Sequence, residues 1–189
     1  MKKILSLMAA MMMAVSLVAC GSSSSLPEGF MDDSKSESSS TSSSASESEK
    51  VLDGRLGDTL HTMFFDFSVD SAQFVEEKNG YTPAEGNTLL DTVITIKNTY
   101  GQEIPMSTYD FQAQWEDQAE EAYAYQPEEL TGEDVMPLEF NLKRGETVTY
   151  HVVFEVPAGS KELSISTMEY YTENGVEKEG DAYFVYFEL

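Results

Sequence analysis

From about residue 57 onward, apolar and polar residues alternate with a period of two, the pattern of β-strands that bury one face. Met63, Phe65, Phe67 and Val69 share one register and Thr62, Asp66 and Ser68 the other. This predicts a first strand over about 59–75 and places His61 in register with the buried set. Leu90, Thr92, Ile94 and Ile96 repeat the pattern inside a run dense in β-branched residues. Tyr109, Phe111, Ala113 and Trp115 alternate with Asp110, Gln112, Gln114 and Glu116, predicting a third strand with an inward aromatic face and Trp115 in the core. Met136, Leu138, Phe140 and Leu142 lead into Lys143-Arg144-Gly145-Glu146, a turn signal. The strand that follows turns Tyr150, Val152, Phe154 and Val156 inward, sets His151 with Thr149 and Glu155 in the solvent-side register, and closes at Pro157. Residues 163–171 and 181–189 supply two more strands, joined around Asn174-Gly175 as a hairpin. About seven strands between turn signals predict an all-β fold, an antiparallel two-sheet immunoglobulin-like β-sandwich.

The N-terminal part changes the picture of where such a domain works. Lys2 and Lys3 precede an apolar run from Ile4 to Ala19, too short for a membrane span and patterned as a secretory signal peptide over residues 1–19. Leu17-Val18-Ala19-Cys20 resembles the lipobox of bacterial lipoproteins, which implies cleavage before Cys20 and acylation (palmitate) of its thiol. The chain is then expected at the outer, extracytoplasmic face of the cell membrane of a Gram-positive bacterium, held by lipid on Cys20. Residues 20–50 form a Ser-rich, acid-flecked stretch with little to bury, read as a disordered tether. The sandwich domain occupies 51–189.

Charge and cysteine usage narrow the chemistry. Residues 51–189 hold 28 acidic side chains against seven basic ones, a surface that repels nucleic acid and anionic headgroups. Cys20 is the sole cysteine, so the domain has neither a disulfide nor a thiolate for metal binding or catalysis. Of ten methionines, only Met63, Met106, Met136 and Met168 fall within the domain.

Two segments carry a family likeness. One is Leu90 to Ile104, where a strand ends in Lys97-Asn98-Thr99 and a tight turn. The other is Leu142 to Pro157, where Lys-Arg-Gly-Glu opens a long strand. Together they resemble the immunoglobulin-like lipoprotein domains grouped as DUF4352 or DUF5067, similar in fold to the mycobacterial MPT63 antigen. That resemblance implies the sandwich and a cell-envelope setting, and it supplies no catalytic residue.

The residues themselves offer no catalytic constellation. His61 and His151 fall in opposite registers, and no Gly-rich phosphate loop, His-Glu-x-x-His or Gly-x-Ser-x-Gly occurs. The segment from Glu116 to Asp134 interrupts the strand pattern and is longer than a minimal hairpin, so binding is expected there. Its candidates are Tyr123 and Tyr125, a short aromatic strip, and the acids Glu128, Glu129, Glu133 and Asp134. The expected role is a non-enzymatic binding or accessory module for another envelope protein, with no cofactor and no metal site. The alternatives are small-ligand capture, either Ca²⁺ on the acids or a glycan on the tyrosines, and, more remotely, a cell-wall hydrolase.

Overall fold

The computed structural model describes residues 50–115 and 123–189. Cys20, the signal segment and the Ser-rich stretch lie outside the described residues, as does the connection 116–122.

Eleven strands are described: β1 (Val51–Arg55), β2 (Leu60–His61), β3 (Phe65–Val75), β4 (Asn87–Asn98), β5 (Ile104–Ser107), β6 (Gln112–Trp115), β7 (Tyr123–Ala124), β8 (Glu139–Leu142), β9 (Thr147–Pro157), β10 (Glu162–Glu173) and β11 (Val176–Glu188). They form two facing sheets, β1-β11-β10-β6-β7 and β2-β3-β4-β9, with a short β5-β8 ladder beside them. The fold is a β-sandwich without a disulfide, antiparallel except where β1 runs parallel to β11. Between the sheets lie the alternating apolar positions read from the sequence: Phe67 and Val69, Ile94 and Ile96, Phe111 and Ala113, Val152 and Phe154, Ile165, and Val185. Phe67 and Phe111 meet edge to face at 5.6 Å, the favoured aromatic geometry. Trp115, expected within the core, is only partly buried and packs at its margin.

Turn chemistry sets the strand boundaries. Asn174 and Gly175 both take positive φ, 54° and 79°, the two-residue hairpin geometry expected for β10–β11. Asn98, almost wholly buried, donates to Gln102 O at 2.9 Å and Leu142 O at 2.8 Å and accepts from Tyr100 N at 2.8 Å, so its side chain fastens three backbone segments at the end of β4.

Three expectations are corrected. The first strand does not run from 59 to 75. Thr62 Oγ1 accepts from the backbone N–H of Phe64 and Phe65, folding the chain back into a β2–β3 hairpin and leaving Met63 and His61 exposed. The third strand does not begin at Tyr109. Ser107 and Asp110 form a reciprocal capping box around a 3₁₀ turn, Thr108–Asp110, and that turn lifts Tyr109 out of the core to 46% exposure. Leu138, expected inward, precedes β8 and is exposed.

The outer face of the second sheet is not solvent-side throughout. Leu130 and Val135 lie against Leu89 and Val153 in a second, smaller core, so β4 and β9 bury both faces. Gln126 secures this covering segment. Its Nε2 donates to Met136 O at 2.9 Å and its Oε1 accepts from Val153 N at 3.3 Å. Part of the segment expected to be a binding loop is therefore a packed lid.

Candidate functional site

Side chains of directly paired residues project from the same face of a sheet, so the register of the first sheet lays out its outer surface. Tyr123 pairs with Gln114, Gln114 with Ser164, Ser164 with Tyr186 and Tyr186 with Arg55. The neighbouring row runs Gln112, Ser166, Phe184, Asp53. Small serines on β10 thus sit between amides on β6 and aromatic rings on β11, and the difference in size leaves a trough. Phe184 and Tyr186 stack nearly parallel, 5.8 Å apart at 11°, and the Arg55 guanidinium lies 5.9 Å from the Tyr186 ring centroid.

The two predicted tyrosines stand at one side of this trough. Tyr123 and Tyr125 are 49% and 37% exposed, Tyr123 on the edge strand β7. They meet at 5.6 Å and 72°, and Tyr125 meets Tyr109 at 5.4 Å and 82°. Tyr109 was assigned to the core from its register. The Ser107-Thr-Tyr-Asp110 capping box was the signal that placed it on a turn instead. Its hydroxyl donates to Glu128, and this bond raises the Tyr109 pKa. Burial raises that of Tyr125.

Two hollows lie along the trough. One of about 810 Å³ is lined by Arg55, Gln114, Trp115, Ser164 and Tyr186 among others. The other, about 170 Å³, is lined by Tyr109, Gln112, Tyr125, Ser166, Tyr170 and Phe184 among others. Ser166 is 3% exposed, and its Oγ has no hydrogen-bond partner. The side-chain amides of Gln112 and Gln114 are half-buried and likewise make no hydrogen bond among the described residues.

The acidic candidates do not gather with the tyrosines into one site. Glu128 is turned to Tyr109, whereas Asp134 belongs to the far side of the molecule, on the outer face of the second sheet. There Lys78 Nζ lies 3.1 Å from Asp134 and 3.4 Å from Asp91. His151 Nδ1 lies 2.6 Å from the Asp91 carboxyl, and its Nε2 lies 3.8 Å from Asp134. The Lys78 contact holds the Asp134 carboxyl below its usual pKa. Next to this cluster Glu155 accepts from Asn87 Nδ2 at 2.7 Å, Ala84 N at 2.9 Å and Tyr81 OH at 2.8 Å. Those bonds, led by Asn87, lower the Glu155 pKa, and the bond from Glu155 raises that of Tyr81 to about 12. Glu129 and Glu133 are exposed. Among the described residues no three or more His, Cys, Asp or Glu side chains gather as metal ligands do. The histidines have separate partners, His61 Nδ1 meeting Asp66 at 2.8 Å at the exposed β2–β3 turn.

The sequence model of DUF4352, a domain of unknown function, matches residues 54–178. No curated protein sequence matches the chain. Solved structures that resemble it include the candidate lipoprotein ycdA from Bacillus subtilis, 13% identical with a TM-score of 0.49; the match takes in 69% of this chain and 38% of that one. An uncharacterised β-sandwich protein from Clostridium difficile is 16% identical with a TM-score of 0.42, over 73% of this chain and 96% of that one. The yjhA protein from Bacillus subtilis is 13% identical with a TM-score of 0.49, over 69% and 99%. This chain therefore spans well under half the length of the first of these and nearly all of the other two.

Proposed function

The chain belongs to the DUF4352 family, and for this member we propose a non-enzymatic binding module, lipid-anchored through Cys20 at the outer face of the cell membrane, that engages another envelope component. The contact surface is the outer face of the first sheet. The observation that carries this reading is the exposed array of Tyr109, Tyr123 and Tyr125, stacked edge to face beside an unfilled trough. Exposed aromatics gathered on one face mark contact surfaces, because each ring offers a large area at a small cost in side-chain entropy.

A binding role is favoured over hydrolysis by how the histidine chemistry is used. Both ring nitrogens of His151 face carboxyl groups, Asp91 on one side and Asp134 on the other, and Lys78 joins the same cluster. That arrangement holds a lid against a sheet; it does not present a base to a nucleophile. The acids expected to act with the tyrosines are also divided between two faces, so the aromatic surface is the stronger candidate.

The test compares the full-length chain with a Tyr123→Ser, Tyr125→Ser variant for retention on isolated envelope fragments. Loss of about tenfold or more in apparent affinity, with the melting temperature nearly unchanged, is expected for two contact-surface aromatics. Equal retention of the variant would overturn the assignment of this face.

A further inference from the structure

We propose that the trough on the outer face of the first sheet binds an uncharged glycan chain, the rings lying over Ser164 and Ser166 between the amides of β6 and the aromatics of β11. This identifies the ligand class of the binding face above and rests on that reading. Sugar rings present two kinds of surface, C–H faces that pack on aromatic rings and hydroxyl edges that need hydrogen-bond partners. The trough supplies both side by side. Phe184 and Tyr186 form an aromatic wall, and Gln112 and Gln114 form a polar one.

A buried hydroxyl without a hydrogen bond costs stability unless something completes it, and Ser166 Oγ has no partner beneath the rim made by Tyr109, Tyr125 and Tyr170. The half-buried side-chain amides of Gln112 and Gln114 keep contact with water, so their donors and acceptors are open to a ligand. Serine is also the right size for the floor. A larger residue on β10 would fill the space between the walls.

Charge and backbone geometry select among occupants. Serine, glutamine, tyrosine and phenylalanine line the middle of the trough, Glu162, Glu188 and Asp110 stand with the single cation Arg55 around its two hollows, and the domain is strongly acidic, so an anionic polymer is repelled. An extended peptide gains affinity by adding a strand to a free sheet edge. The trough has no such edge, because β10 is paired on one side with β6 and on the other with β11. β6 faces β10 from Leu163 to Ser166, so the walled part of the trough measures about 10 Å at roughly 3.3 Å per residue, the length of about two sugar rings, and Met168 and Tyr170 close it at one end.

The test uses the full-length chain with two neutral probes, chitotetraose and cellotetraose, read by saturation-transfer difference NMR. We expect saturation transfer to at least one, reduced tenfold or more in a Gln112→Ala, Gln114→Ala variant, whose surface truncations leave the core untouched. A Ser166→Val variant, which fills the floor, should weaken binding as well. Absence of transfer to both probes, or transfer undiminished in the glutamine variant, would overturn the proposal. A second arm uses envelope fragments stripped by protease. Retention on stripped fragments, lost in the glutamine variant, supports the glycan. Retention abolished by protease yet still sensitive to Tyr123→Ser, Tyr125→Ser overturns the glycan and leaves the face as a protein contact. Retention indifferent to the tyrosines overturns the face itself.

Discussion

Glu169→Ala should destabilise the domain severely although it removes no apolar core residue. Glu169 sits in β10 between Met168 and Tyr170 of the outer surface, and its own side chain turns inward and is buried. Its Oε1 accepts from Met63 N at 2.6 Å and from the Tyr183 hydroxyl at 2.9 Å, and its Oε2 accepts from Asp181 N at 3.2 Å. One side chain therefore ties the β2–β3 turn of the second sheet to β10 and β11 of the first. It does so where the β10–β11 register slips, between Met168 and Tyr170. Tyr183 is buried, and an orphaned buried hydroxyl costs about 1–3 kcal/mol. The two backbone donors are part-buried and lose about 0.5–1.5 kcal/mol each. Together the loss is about 2–6 kcal/mol, a large share of the roughly 5–15 kcal/mol that holds an ordinary domain folded. Urea denaturation of the full-length chain at neutral pH measures it. Glu169→Gln keeps one acceptor but turns an N–H towards Asp181 N, so it should fall between wild type and Glu169→Ala. A loss below about 1 kcal/mol for Glu169→Ala would refute the reasoning, because it would mean that Tyr183 and the β2–β3 turn do not depend on this carboxyl group.

The remaining predictions concern pH, packing and anchoring. The Glu155 pKa is depressed, so its contribution is present above the unfolded-state value near 4.3 and lost as pH falls through the lower folded value. Tyr81 is raised to about 12, so its contribution is present below pH 10 and lost as pH rises towards 12. Glu155→Gln should flatten the stability profile at both ends, and thermal melts from pH 3 to 11 that keep both slopes would contradict this. Phe111→Ala removes a wholly buried ring that packs against Phe67 and should cost about 3–5 kcal/mol by chemical denaturation. Cys20→Ala should abolish metabolic labelling by a fatty acid and release the chain from the membrane fraction, since the acidic domain contributes no attraction of its own.

Much of the sandwich was legible because burial enforces a period of two. Phe111, Ile94, Phe154 and Val185 occupy the interior as their alternation requires. Alternation fails where a polar side chain captures the backbone. Thr62 ends one strand and the Ser107–Asp110 box delays another, and both short-range signals are present in the sequence. Other features were illegible because they depend on long-range contacts. Nothing local says that Leu130 and Val135 fold onto Leu89 and Val153, so His151 read as a surface residue and Asp134 as a partner of the tyrosines. Tyr123 and Tyr125 were singled out from their own spacing. Their neighbours Gln112, Ser166 and Phe184 come from three strands that only the sheet register brings together.

If the outer face of the first sheet is the contact surface, hydroxyl-radical footprinting of the chain in intact membranes against the extracted chain will register it as protection. Tyrosine and methionine are both oxidised by the radical, and both occur on this face and away from it. Tyr123, Tyr125, Met168 and Tyr170 should be protected in the membranes and labelled after extraction, while Met63 and Tyr100, both exposed elsewhere, are labelled in both states. Equal labelling of the four face residues in the two states, with protection appearing instead at Met63 and Tyr100, would contradict the account.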